Sequence, residues 1–278
     1  MPLAFLPDRA LLQVGGPEAR HFLHNVVTCD VEALEPGGSR FGALLAPQGK
    51  ILCDFLIYDA DDETFLLDAP KVLIADLLKR LTLYRLRAKV DLALLPDAAV
   101  AAQWGADDGL PEGARAFADP RLPALGARVV LPGVPEDMGD AQAYDAHRIG
   151  LGIPKGGADF AYGDAFPHEA DMDQLGGVDF KKGCYVGQEV VSRMQHRGTA
   201  RTRAVMVRFE NPPEPGSEIL AGEKPVGRMG SSANGQGIAL VRLDRAADAR
   251  AAGIPLLAAG IEVTLQKPDW ATFAMGEA

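Results

Sequence analysis

GGVDFKKGCYVGQEVVSRMQHRG, residues 176–198, is the stretch on which the reading of this chain turns. Gly176, Gly177, Gly183, Gly187 and Gly198 permit backbone angles closed to other residues and let a ligand approach the main chain. Cys184 stands between Gly183 and Tyr185, far from Cys29 and Cys53. The stretch is also basic in an acidic protein. From 179 to 203 there are six Lys or Arg against two acids, whereas 159–173 holds five acids and no Lys or Arg. Such an inversion predicts a local positive surface suited to a carboxylate-bearing ligand. QEVVSRMQ reads as a short helix with Val190, Val191 and Met194 on one face, which places Cys184 just before its positive end. Lys181, Lys182 and a helix N-terminus would all favour thiolate over thiol, from an ordinary value of about 8.5. The alternative is a buried, inert cysteine in a glycine turn.

Upstream, strand and helix signals alternate. RALLQV (9–14) reads as a strand stopped by Gly15-Gly16-Pro17, and Pro17 suits the opening of a helix over 17–27 with Ala19, Phe22, Leu23 and Val26 on one face. RFGALLA (40–46) and KILCDFLIY (50–58) flank Pro47-Gln48-Gly49 as a hairpin. The acidic run 59–63 reads as a solvated turn. A strand FLLDA, a helix over 71–84 and a strand over 88–95 follow. The order implies α+β structure with a mostly antiparallel sheet. AVAAQW, ARAFAD and ARVVL continue as short strands, 138–151 reads as a helix carrying Tyr144, His147 and Arg148, and 154–183 reads as a long loop of the kind that is functional or disordered.

Past residue 200 helical periodicity fades. RAVMVRF, SEIL, KPVGRM, GIALVRL and IEVTLQ are short strands broken by Gly, Pro and Asn, which suggests a small barrel. The alanines of 246–259 read as loop or short helix. The expected organisation is 1–97, 98–199 and 200–278. The chain has 278 residues, a formal net charge of −10 and three cysteines without a CxxC pair. That charge argues against nucleic acid and anionic membranes as partners. The cysteine count excludes a four-thiolate cluster within one chain and suits a reducing compartment. The N-terminus shows no signal or transit pattern, so the expected location is cytoplasmic.

KGCYVGQE resembles the signature of the YgfZ family, matching at Lys182, Gly183, Cys184, Tyr185, Gly187, Gln188 and Glu189. LLQVGGPEARHFLHNVVTCDV (11–31), FADPRLPALGARVVL (117–131), AYDAHRIGLGIP (143–154) and FPHEADMDQLGGVDF (166–180) are similar to the family's flanking segments, so the likeness spans most of residues 9–200. The resemblance to this YgfZ/GcvT superfamily implies an α+β fold: a three-part ring of two mixed, mostly antiparallel units and a C-terminal β-barrel around a site for tetrahydrofolate or a one-carbon derivative. It implies support of 4Fe–4S enzyme assembly or repair, with iron–sulfur assembly proteins or client enzymes as partners. Cys184 would be the key thiol, as transient ligand or redox group. Arg148 would meet the folate tail, Lys182 would serve the tail too or hold the thiolate, Tyr185, Gln188 and Glu189 would complete the site, and no resident metal is expected.

The sister branch is the glycine-cleavage aminomethyltransferase, which places two adjacent aspartates where this chain has Cys53-Asp54. Under that reading Asp54 would assist one-carbon transfer. The branch's mid-chain Gly-Tyr-Thr-Gly-Glu-type segment is missing, since only ARVVLPGVPED stands there. His21 and His24 share a helix face without a further ligand in the sequence nearby. His147 and His168 read as ordinary histidines.

Overall fold

The computed structural model describes residues 3–61, 63–105, 109–134, 139–198 and 200–276. Asp62 of the expected acidic turn, residue 138 of the expected helix and residues 135–137 of the mid-chain segment lie outside the described residues. The chain divides into two compact units. One holds Met1–Tyr144 and Leu175–Glu189, the other Asp145–Gln174 and Val190–Ala278.

The first unit opens with β1 (Leu3–Phe5), β2 (Arg9–Gly15), α1 (Ala19–Val26), β3 (Ser39–Leu45), β4 (Ile51–Asp61), β5 (Thr64–Pro70), α2 (Ile74–Arg85) and β6 (Asp91–Leu94). The strands from β2 to β6 form a five-stranded antiparallel sheet in the order β3-β4-β5-β2-β6. Next come β7 (Ala99–Gln103), β8 (Arg115–Ala118) and β9 (Ala127–Leu131), which join β1 in a second antiparallel sheet, β1-β7-β9-β8. β1 is a strand that three residues of sequence did not announce.

β4 is buried along almost its whole length, because each of its faces has a cover. Cys53, Phe55 and Ile57 point into the core with Phe22 and Leu23 of α1 and Leu77 and Leu81 of α2. Side chains alternate along a strand, so Tyr58 points the other way. Its ring stacks on Phe117 of β8 at 4.5 Å, and its hydroxyl donates to Asp68 at 2.8 Å. The acidic run is a solvated turn only at its end, where Asp61 and Glu63 are exposed. β4 extends to Asp61 against β5, and Asp59 is buried and paired with Arg20 at 2.6 Å.

The chain passes between units three times, within α3 (Ala141–Gly150), between Gln174 and Leu175, and within α4 (Gln188–Arg197). Residues 151–187 contain neither helix nor strand, yet Ile153, Phe160, Met172 and Val178 are buried, so the expected long loop is packed. The second unit then builds β10 (Thr202–Arg208), β11 (Glu218–Ala221), β12 (Lys224–Ala233), β13 (Gln236–Arg242), α5 (Leu243–Ala251), β14 (Leu256–Ala258), β15 (Ile261–Glu262) and β16 (Thr264–Gln266). The sheet order is β15-β14-β11-β12-β13-β10-β16, antiparallel at every pairing. Its two edge strands are separated in the chain only by Val263, so the sheet curls until its edges nearly meet, and the expected barrel is present. Asn234-Gly235, both with positive φ, make the tight turn between β12 and β13 that Asn-Gly favours. The alanine run forms α5, whose small side chains carry little helical periodicity to read.

Candidate functional site

The segment around Cys184 is fastened to the first unit from both sides. Thr28 is the upstream anchor. Its hydroxyl donates to the Gly177 carbonyl at 2.6 Å and accepts from the Ala43 amide at 2.9 Å, and its own carbonyl accepts the Asp179 amide at 2.9 Å. Asp179 then accepts from the amides of Lys181 and Lys182 at 2.6 and 2.9 Å, closing a local turn. The Lys182 ammonium donates to the carbonyls of His24, Val27 and Cys29, the last two at 2.7 and 2.9 Å. These carbonyls lie at and just beyond the end of α1, where helical backbone has no partner of its own and cations are favoured.

Downstream, Tyr185 is buried, with the Lys182 ammonium 5.3 Å from its ring centroid. Val186 packs on the core of the first unit. Gly187 has φ 81° and lies so close to the β3–β4 turn that an added Cβ would stand 2.5 Å from the Ala46 carbonyl oxygen. Of the flanking glycines, Gly187 therefore meets the conformational demand that the sequence suggested. Gly183 does not: its φ is outside the positive region and its surroundings are open. Between these anchors Cys184 is exposed and unpaired in any disulfide. The inert buried cysteine is excluded. Gln188 opens α4, and Glu189 lies exposed in its first turn.

The other two thiols are sealed. Burial pushes Cys29 up to about 12, against the pull of the Lys182 charge. Cys53 is raised by burial and then by neighbouring Asp54. Burial lowers the Lys182 ammonium below its ordinary range. Tyr185 is pushed up to about 12 by burial and the charge of Asp179, and its hydroxyl has no hydrogen-bond partner among the described residues.

Arg148 belongs to the second unit and is 3 % exposed. It does grip a carboxylate, but one of its own chain. Nη1 donates to Asp159 at 2.8 Å and to the Ile153 carbonyl at 3.0 Å, Nε to Asp145 at 2.7 Å and Nη2 to Ser231 at 2.9 Å. Asp159 also accepts from the Lys155 amide and from the amide and hydroxyl of Ser231, so the cluster ties the 151–174 segment to β12. With their donors committed this way, Arg148 and Lys182 do not fit the carboxylate tail of a folate. Asp54 is buried on β4 opposite Ala43.

His21 and His24 have acids closer than their sequence neighbourhood suggested. Glu32 lies 3.0 Å from His21 and Asp30 lies 3.1 Å from His24. Even so, no group of three or more His, Cys, Asp or Glu among the described residues could hold a metal ion. His168 is buried and shares a hydrogen bond with Gln195 at 3.0 Å. Sequence reasoning missed a buried network in the first unit. Arg121 and Arg128 face Asp119 and hold it at about 2, although burial alone would raise it. The available signal was Arg128, a charged residue within the otherwise apolar β9.

Two family profiles match the chain: the GCVT N-terminal domain over residues 10–100 and the CAF17 C-terminal β-barrel domain over 201–273. The fold is shared with the glycine cleavage system aminomethyltransferase T from Bartonella henselae, with a TM-score of 0.76 and 16 % identity over 97 % of this chain and 86 % of that one. The class is thus a GcvT-like protein with a CAF17-type barrel. Among curated proteins, the human mitochondrial iron–sulfur cluster assembly factor IBA57 is 31 % identical over 275 residues, which are 85 % of this chain and 76 % of that protein. The Neurospora crassa IBA57 homologue is 35 % identical over 228 residues, 72 % of this chain and 52 % of its own length. The chain belongs to the family of the iron–sulfur cluster assembly factor IBA57. It spans about half the length of the fungal relatives that it matches, 52 % for Neurospora crassa and 55 % for Pyricularia oryzae. These relatives are mitochondrial by name, which overturns the cytoplasmic location expected from the N-terminal residues.

Proposed function

We propose that this protein supports the assembly or repair of 4Fe–4S enzymes and that Cys184 is its working thiol. The observation that carries the reading is the presentation of Cys184: an exposed side chain between Lys182, Tyr185 and Gly187, each fixed to the first unit. A cysteine placed only for packing would be buried. One exposed thiol supplies one thiolate, so the remaining ligands of any cluster handled here come from the assembly protein or client enzyme that brings it, the cluster being cargo. Kinship with IBA57, a named assembly factor, supports this role.

The proposal takes no step through folate, because the two cations nominated for its tail are already engaged. Aminomethyl transfer rests on likeness of fold, which does not carry function. Replacing Cys184 by Ser or Ala in the native organism tests the proposal. Activities of 4Fe–4S enzymes fall while the abundance and folding of the variant stay unchanged. Unchanged activities sink it. Titration with tetrahydrofolate, and an assay for ammonia release from an aminomethylated carrier, address the sister-branch chemistry separately.

A further inference from the structure

Helix α2 buries Ile74, Leu77 and Leu81 against the core of the first unit. Large apolar side chains are also exposed at and beside its ends. Val72 is 89 % exposed, Leu83 67 % and Leu86 86 %; Leu83 and Leu86 lie at the C-terminal end of the helix and Val72 just before its start. Leu86 ends α2 with φ 47° and ψ −105°. That region is costly for any residue with a Cβ, and glycine is the usual choice there. Leu86 closes the turn that ends α2, with the Ala88 amide donating to the Arg85 carbonyl at 2.8 Å, yet its own side chain stays in water. The turn needs the conformation but not a leucine, and a bulky residue kept at such a position marks a functional candidate.

Cations are interspersed with these apolar side chains along the segment. Residues 71–89 contain six Lys or Arg and one acid, Asp76, in a chain of net charge −10. Asp76 is taken by Arg80 at 2.5 Å. Lys71, Lys79, Arg87 and Lys89 are exposed. The averaged charge that argues against anionic membranes therefore does not describe this face.

We propose that the α2 face docks on an anionic membrane surface, with Leu83 and Leu86 entering between headgroups that the lysines and arginines meet. Charge complementarity selects this occupant: the acidic remainder of the chain is repelled by a negative surface and turns the α2 face toward it. Composition favours a bilayer over a protein groove. Protein interfaces are depleted in Lys, and their hot spots are seldom Leu or Val. Leucines bordered by Lys and Arg are instead the composition of helices that lie in the membrane interface. No helix of the described residues is long and apolar enough to cross a membrane, so the contact is with the surface.

Co-sedimentation of the full chain with vesicles tests this. Binding is expected to phosphatidylcholine vesicles containing about a third phosphatidylglycerol and not to phosphatidylcholine alone. It is lost as ionic strength rises from about 0.05 M to about 0.5 M. Leu83→Asp with Leu86→Asp, and separately Lys79→Glu with Arg87→Glu, each weaken partitioning about tenfold or more. Lys224→Glu with Arg228→Glu in the second unit weakens it far less. Leu86→Gly guards against misfolding, because it relieves the strained backbone and raises the unfolding temperature while still weakening partitioning. The proposal is overturned by absence of binding to anionic vesicles, by equal binding to neutral ones, or by binding that the α2 variants leave intact. Capture of an acidic protein without vesicle binding overturns it too.

Discussion

Gly187→Ala separates the thiol of Cys184 from the frame that presents it. Gly187 has φ 81°, and a Cβ there would lie 2.5 Å from the Ala46 oxygen, 3.1 Å from the Gly49 Cα and 3.1 Å from the Leu45 Cβ. The left-handed conformation costs an alanine about 1–2 kcal/mol. Relieving backbone overlap of this kind costs about 1–3 kcal/mol more. The expected total is about 2–5 kcal/mol, limited by the free energy of docking, since the segment can detach before the unit unfolds. Gly183→Ala is the matched control: nothing lies within 4 Å of its added Cβ, and surface changes of that sort stay within about 0.5 kcal/mol. Both variants keep Cys184 and differ by one methyl group. Urea denaturation read beside 4Fe–4S enzyme activity in cells is the assay. Gly187→Ala loses stability and activity, and Gly183→Ala keeps both. If Gly187→Ala matches the parent in both, the anchored turn is not what positions the thiol. If Gly183→Ala is equally damaging, the steric argument is wrong.

A thiol reagent is expected to modify one cysteine of the native chain rapidly, Cys184, and the other two only in denaturant, since Cys29 and Cys53 are buried; fast reaction of more than one thiol refutes the assignment. Lys182→Met keeps the aliphatic stem but strips its three carbonyls of their donor. For a half-buried charged donor the loss is about 2 kcal/mol, measurable by urea denaturation and by faster amide exchange at the end of α1. Asp171 is fully buried and burial raises its carboxyl well above the ordinary range, more than Arg203 lowers it. Its proton is thus held in the fold after the unfolded chain has lost its own, so stability falls as pH rises above about 4. Asp171→Asn should stabilise the chain by an amount that grows as pH rises above about 4, and a gain independent of pH would contradict the linkage.

Elements with a local cause were legible in the sequence. The hairpin over 40–58 follows from Pro47-Gln48-Gly49 and two apolar runs, and Gly49 does take φ 80°. The Cys184 motif was equally plain, because its glycines, cysteine and charges lie within one stretch. What was not legible depends on partners distant in sequence. Lys182 reads as a free cation until the fold brings the end of α1 to it, 153–158 residues upstream. Arg148 reads as a ligand-facing guanidinium until the loop returns Asp159 beneath it and β12 supplies Ser231. Gly183 and Gly187 are the same residue type four apart, and only the β3–β4 turn pressing on one of them tells them apart. β1 is too short to show a period, and the sheet alone defines it.

The two chemistries associated with this fold ask opposite things of a site. One-carbon transfer needs reacting groups held where water is excluded. Here the position beside Asp54 is filled by Cys53, whose thiol burial and the Asp54 carboxylate keep protonated, so an acid stands beside a neutral, packed group rather than beside a second acid. Handing a cluster to or from another protein needs the opposite, a ligand outside the fold that a second protein can reach without unfolding the first. Cys184 meets that demand because its neighbours carry the packing: Tyr185 and Val186 fill the unit, Lys182 closes α1, Gly187 meets the hairpin, and the thiol faces out between them. Asp54 is thus buried beside a packed thiol and the one exposed thiol lies elsewhere, an arrangement that fits the cluster-handling role proposed above.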